Sequence, residues 1–462
     1  MKVYGVVFVL GALAGTCASP ENSFYPNLSS PDVITAAHYD AVPRGAAHET
    51  RTSASDGAYA YCSMPHPSVD MYKEPEPVRN GSVHAELKAV LYMQRHQKRT
   101  AYHIFPHGEA TLYNCDDGRP YLYYSPSDKK LPQPMHVYAQ TYADATNPLT
   151  QSLANSSCQF PQMTIGGYLD GVQHGAELRA LYQDKYNIIP GWPSPRTVWF
   201  RSSTAALTQD SAGGVLRGLW PHWRGAIPLH QQSEFIDTHA PPCDRRDALL
   251  DAAKSTATWK KHLRVSSSLR SKLESMLLTN TSEWRVDWDH YNDNFQARLC
   301  NGYALPCALH KDKDCVTTEE ANQVFTAGDW EYNYYWVDRD NVTEAIQLTS
   351  GLLIQDMVTH LTEIANGKSA LRYLHMFMHD GDIAPLAGSL GIETLRWPGM
   401  ASNIAIELWE SKSSGMHARV LYSGNTIRSK HGNMDWIPLD KFLHGWSRYI
   451  PHDFVAQCAT PL

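Results

Sequence analysis

Positive charge is scarce in bulk. Forty Lys and Arg stand against 47 Asp and Glu, for a formal net charge of −7. A nucleic acid or an anionic membrane surface therefore finds no overall basic field, and any anion site must be local. Long apolar runs are missing too. The longest, Val6 to Ala14, falls short of the roughly 20 residues a membrane span needs, so no stable membrane insertion is expected. The tail DFVAQCATPL lacks the hydrophobic terminus of a lipid-anchor signal. No C-x-x-C pair occurs, and His103 and His107 lack an H-E-x-x-H context, so no metal is expected. The absence of a fixed-period repeat argues against a solenoid.

Hydrophobic residues make up 43% and charged residues 19%, the composition of globular cores rather than of disorder. The first residues, MKVYGVVFVLGALAGTCASP, place Lys2 before the apolar run, with Thr16 and Ala18 where a signal peptidase reads. This predicts a signal peptide over 1–18 and a secreted protein, extracellular or held in a cell wall or vacuole lumen. Once Cys17 is lost with the signal, Cys62, Cys115, Cys158, Cys243, Cys300, Cys307, Cys315 and Cys458 remain, an even number that suits four disulfides. Sequons at Asn27, Asn80, Asn155, Asn280 and Asn341 fit a glycoprotein.

Residues 19–85, rich in Ser, Pro, Ala and His, read as an extended N-terminal arm. Leu87 to Gln94, LKAVLYMQ, has the length of a buried strand. Thr164 to Tyr186 places Leu169, Val172, Ala176 and Ala180 at helical spacing, which predicts an amphipathic helix entered through Thr164. RTVWFRSS reads as a strand and TAALTQDSAGGVLRGLWP as a helix ending near Gly218. ALRYLHMFMHD and DIAPLAGSLGI repeat that unit, with Pro385 in the helix's first turn. Three strand-to-helix units predict an α/β fold with a mostly parallel central sheet flanked by helices, whose ligands gather beyond the strands' carboxyl ends. The core is expected over 86–235 and 349–462, and the charged, helix-prone, cysteine-rich block 236–348 as an inserted helical cap.

Each predicted strand end deposits polar residues. The first gives Arg95, His96, Lys98 and Arg99, the second Arg201 and Ser202, the third His379 and Asp380. Guanidinium groups grip phosphoryl oxygens through bidentate, charge-assisted bonds. A histidine among them can attack phosphorus, and a nearby carboxyl can protonate the leaving oxygen. Alone, RHQKR is the composition of a solvated basic turn; its joint placement with the other two strand ends carries the reading. Lys98 is expected at the rim, and Trp192, Trp199 and Trp397 in the core.

At these residues the sequence resembles the histidine acid phosphatases, branch 2 of the histidine phosphatase superfamily, which includes fungal acid phosphatases and phytases. The family's R-H-G-x-R-x-P finds Arg95, His96 and Arg99 in its fixed charged places. HDGDIAPLAGSLG, from His379 to Gly391, is similar to its distal motif, and RSSTAALTQDSA to the segment between them. The resemblance implies a phosphoglycerate mutase-like core and a phosphoric monoester hydrolase. It makes His96 the nucleophile of a covalent phosphohistidine and Asp380 the general acid. Arg95, Arg99, Arg201 and His379 become the phosphate-binding set, and neither metal nor organic cofactor is implied. The partner would be a small-molecule phosphate monoester. Gln97 replaces the motif's glycine, Ala101 its proline, and Leu207 an arginine common in the second motif. Gln97 must therefore accept a strained backbone or point its amide toward the pocket. A catalytically weakened protein keeping the fold as a surface anion-binding or structural module is the alternative, and a retained proton donor at Asp380 favours the enzyme.

Overall fold

A computed structural model describes residues 24–25 and 61–461, apart from 122–127, 129, 133–134, 143, 145, 153, 240 and 310. The expected signal peptide, most of the expected arm and the Asn27 sequon lie outside these residues. Six strands form the path of a central sheet: β1 (Ala85–Arg95), β2 (Val198–Ser202), β3 (Tyr373–Met378), β4 (Asn403–Ser411), β5 (Gly415–Tyr422) and β6 (Asn425–Thr426). Their order is β6-β5-β4-β1-β3-β2, with Ile437–Pro438 also pairing with β5. The parallel trio β1, β3 and β2 carries the three predicted strand ends. Antiparallel β4 and β5 extend the sheet on the far side of β1. The fold is α/β, as expected.

β1 is a nearly continuous apolar run because both its faces are covered, the usual state of a parallel strand under helices. Six helices matter below: α1 (Ile165–Leu178), α2 (Ala206–Leu219), α3 (Asp289–Cys300), α4 (Thr318–Asn333), α5 (Val342–Ala365) and α6 (Asp380–Ser389). On one face Leu91 and Met93 pack with Leu353, Ile354 and Met357 of α5 and with Ile383 and Leu386 of α6. On the other, Val90 and Tyr92 pack with Leu178 of α1 and with Val215 and Leu219 of α2. Each such fully buried aliphatic side chain contributes about 1.5–3 kcal/mol.

Helix α1 starts where predicted, capped by the Thr164 hydroxyl, which accepts from the Gly167 amide at 3.2 Å. Its buried face is not the expected one. Leu169 is exposed, and Gly167, Gly171, His174, Gly175 and Leu178 turn inward. The reason is close approach: a Cβ at Gly175 would stand 2.0 Å from the Val215 carbonyl, and one at Gly218 equally near that of Val172. Glycines thus let α1 and α2 pack backbone to backbone. Helix α6 begins at Asp380, so Pro385 falls in its second turn rather than its first. All eight described cysteines pair, as Cys62–Cys300, Cys115–Cys158, Cys243–Cys458 and Cys307–Cys315. Among the described residues no helix is long and apolar enough to cross a membrane.

Candidate active site

The carboxyl ends of β1 and β3 lie side by side, in register from Val90 with Tyr373 to Arg95 with Met378. One residue on, His96 is fixed at both backbone groups. Its amide donates to the Met378 carbonyl at 3.0 Å, and its carbonyl accepts from the Ala401 amide at 3.0 Å. The ring is buried, and its Nδ1 lies 2.9 Å from the Gln97 carbonyl. A carbonyl only accepts, so Nδ1 carries the proton and Nε2 keeps a free lone pair. Burial, then Arg95, Arg99 and His379, hold this imidazole well below its usual pKa, so it stays neutral in mildly acidic solution.

The structure brings Arg95, His379 and Asp380 to His96. The His96 and His379 rings meet edge to face, with centroids 5.4 Å apart. His379 precedes α6, its amide donating to Asp382 Oδ2 at 2.9 Å and its Nε2 lying 3.2 Å from Ser203 Oγ. Burial lowers its pKa despite Asp382 and Asp380. Asp380 Oδ2 receives Arg95 at 3.0 Å and the Trp397 indole N–H at 2.7 Å. Burial alone would push this carboxyl up, but Arg95, then Arg99 and His96, outweigh it and hold it well below the usual carboxylate range. Arg95, fully buried, also donates to the Tyr61 hydroxyl at 2.9 Å and to the Pro398 carbonyl.

Arg99 reaches Asp293 of α3 at 2.8 Å. The other oxygen of Asp293 accepts from the amides of Tyr102 and His103, at 2.7 and 3.1 Å, so one carboxylate ties the loop after β1 to the helical region. Lys98 does not sit at a rim. It is 6% exposed and paired with Asp170 of α1 at 2.9 Å, a carboxyl that burial pushes up to about 6 against the pull of Lys98.

Arg201 lies elsewhere. Its guanidinium pairs with Asp237 at 3.2 Å and Asp356 at 3.1 Å, and donates to Thr238 Oγ1 at 2.6 Å and to Gln232. Its register partner on β3 is Met376, whereas Arg95 sits opposite Met378. Two residues along a strand are about 6.6 Å, so Arg201 starts that far back from the level of Arg95. Ser203, two residues beyond Arg201, is the residue of this strand end that touches His379. Leu207 is buried in the first turn of α2.

Gln97 does neither of the two things expected of it. Its backbone stays out of the left-handed region, and its amide turns away into the seam of α1 and α2. There Oε1 accepts from the Ser211 hydroxyl, and Gly171 leaves the space. Four contributors escaped the sequence reading: Tyr61, Ser203, Asp293 and Trp397. Trp397 is buried, stacks on Tyr332 with centroids 4.6 Å apart and also bonds Asp380, while Trp192, expected in the core, is 56% exposed.

The model of the histidine phosphatase superfamily (branch 2) matches residues 86–423. Counting factor 60 of Dictyostelium discoideum is 23% identical over 317 residues, 66% of this chain and 73% of that protein. 2-phosphoxylose phosphatase 1 of Xenopus tropicalis is 22% identical over 276 residues, 58% of this chain and 54% of its own length. Lysophosphatidic acid phosphatase type 6 of Bos taurus is 25% identical over 315 residues, 64% of this chain and 69% of that protein. The Hafnia alvei phytase apo structure shares the fold with a TM-score of 0.53 at 12% identity, over 82% of this chain and 99% of that one. Since the family match covers most of the chain and runs from β1 to the end of β5, through both strand ends that meet at His96, the chain belongs to branch 2 of the histidine phosphatase superfamily.

Proposed function

We propose that this protein is a secreted acid phosphatase that hydrolyses small phosphate monoesters through a phosphohistidine at His96. The observation that carries the reading is the Nδ1 contact of His96 with the Gln97 carbonyl, which leaves Nε2 as a buried lone pair among Arg95, Arg99 and His379. Family membership makes phosphoric monoester hydrolysis the expected chemistry. The relatives named as phosphatases of 2-phosphoxylose and lysophosphatidic acid support a small monoester as substrate. The four disulfides support an exported or luminal setting.

In the first step the Nε2 lone pair attacks phosphorus, the P–O ester bond breaks, and the leaving oxygen takes a proton from Asp380. In the second, water attacks phosphorus, the P–N bond breaks, and Asp380 recovers the proton as inorganic phosphate leaves. Arg95 and Arg99 stabilise the equatorial oxygens, with His379 donating beside them. Asp380 is held ionised by Arg95, so its proton arrives with the substrate: a phosphate monoanion brings one, and its charge draws the arginine away from the carboxylate. Arg201 serves this scheme as a scaffold ion pair rather than as a phosphate contact.

The test is release of phosphate from p-nitrophenyl phosphate between pH 4 and 8 by the protein and by His96→Ala, with acid-stable and alkali-stable phosphoprotein separated after rapid quench. Activity in the parent, its loss in the variant and an acid-labile, alkali-stable phosphoenzyme are expected. Undiminished turnover by His96→Ala would remove the mechanism. A parent that binds phosphate but never turns over would favour the anion-binding module.

A further inference from the structure

Two imidazoles and a carboxylate meet where the loop after Arg99 touches the start of α3. The rings of His103 and His290 stack with centroids 3.6 Å apart and planes within 10°. Asp289 Oδ2 lies 3.8 Å from His103 Nδ1 and 3.4 Å from His290 Nδ1. Those separations are long for good hydrogen bonds, and both Nδ1 atoms are shielded from solvent without a hydrogen-bond partner among the described residues. They do suit ligands that share an ion, since atoms each 2.0–2.2 Å from a tetrahedral centre stand about 3.3–3.5 Å apart. All three ligand atoms fall within 4.8 Å of one another.

The frame around them is built to hold position. The His103 amide donates to Asp293 at 3.1 Å and its carbonyl accepts from Asn294 at 3.0 Å, so α3 grips the loop at both backbone groups. The Trp284 ring meets His290 edge-on at 5.2 Å and backs the cluster with an apolar wall. Stacked rings point their lone pairs side by side, so capture of an ion requires one ring to tip. The His103 side chain is 29% exposed and has room to do so.

We propose that His103, His290 and Asp289 form a divalent transition-metal site that takes Zn2+ or Co2+ in preference to Mg2+ or Ca2+. A donor set of two nitrogens and one oxygen selects borderline ions over hard ones and leaves a coordination position for water. The ion stands apart from His96 and takes no part in phosphoryl transfer. Its place is structural: Asp293 joins the His103 amide to the Arg99 guanidinium, so an ion here pins the loop that carries Arg99.

Titration of the tag-free, chelator-treated full chain with Zn2+ by calorimetry, and with Co2+ by visible absorption, tests the site. One equivalent of either ion per chain is expected, with the intense visible bands of four-coordinate Co2+ and a Tm raised by Zn2+. His290→Gln and Asp289→Asn should each weaken Zn2+ binding at least about tenfold, while His107→Ala, at an exposed histidine nearby, leaves it unchanged. Circular dichroism and the metal-free Tm establish that the variants fold. Absence of saturable binding in the parent, or folded His290→Gln and Asp289→Asn variants that bind Zn2+ as the parent does, would overturn the proposal.

Discussion

The ends of β1 and β2 both bury arginine, and the two sites differ in what answers it. At β1, Arg95, Lys98 and Arg99 meet Asp380, Asp170 and Asp293, three carboxylates from three distant segments. At β2, Arg201 meets Asp237 and Asp356 with Gln232 and Thr238 beside them. Exposure does not separate the two cases, for Arg95 is 0%, Arg99 4% and Arg201 3% exposed. Nor does pairing as such, because a guanidinium taken out of water must be neutralised wherever it sits. The partners separate them. Asp380 touches the group around His96, whereas the residues around Arg201 hold α5 and the loop after Ile236 against the sheet.

The largest expected effect breaks that comparison directly. Arg99→Ala should lower kcat/KM for p-nitrophenyl phosphate by about 10²–10³, the scale for removing one donor to developing charge. Arg201→Ala should leave turnover nearly intact and cost about 3 kcal/mol or more of stability in urea, because two carboxylates lose their cation. An Arg201→Ala enzyme as stable as the parent but as slow as Arg99→Ala would return Arg201 to the phosphate-binding set.

A smaller effect sharpens the account of β1. With His96 held neutral and Asp380 held ionised, activity should persist in acid and fall as pH rises, because the substrate monoanion that brings the proton disappears above about pH 6. Trp397→Phe keeps the stack on Tyr332 but removes the N–H that Asp380 accepts. The Asp380 pKa should rise as the bond to its charged form is lost, but the carboxyl stays ionised over the assay range, so the falling limb of kcat, set by the substrate monoanion, should keep its place. A limb that moves would show that Asp380, and not the substrate, sets it.

Much of this was legible in the sequence. Strand-to-helix units, the HD pair and the flanking of His96 by Arg95 and Arg99 are local patterns, fixed by chain direction and a few residues of spacing. Arg201 shows where that legibility ends. It shares the sheet face of Arg95, but only the register with β3 reveals that it starts two residues lower. The buried face of α1 was misread for a related reason: glycines carry no apolar signal, yet they allow the closest packing, and Gln97 occupies space that Gly171 leaves. Asp293 and Tyr61 reach the site from distant segments, Asp293 from α3, and Tyr61 from beside Cys62, which is bonded to Cys300 of that same helix. No local pattern marks either one.

The smallest effect comes from a carboxylate without an arginine. Asp210 of α2 is pushed up to about 6 by burial alone, and among the described residues no cation pairs with it. Its folded pKa lies above its unfolded value, so protonation favours the folded state. The contribution is fully present below about pH 4 and is lost as pH rises through about 6. Two units would correspond to about 3 kcal/mol, which partial contact with water reduces to about 1 kcal/mol. Asp210→Asn should therefore gain about 1 kcal/mol in urea at pH 7 and nothing at pH 4. A gain of equal size at both pH values would mean that the amide helps for reasons unrelated to charge.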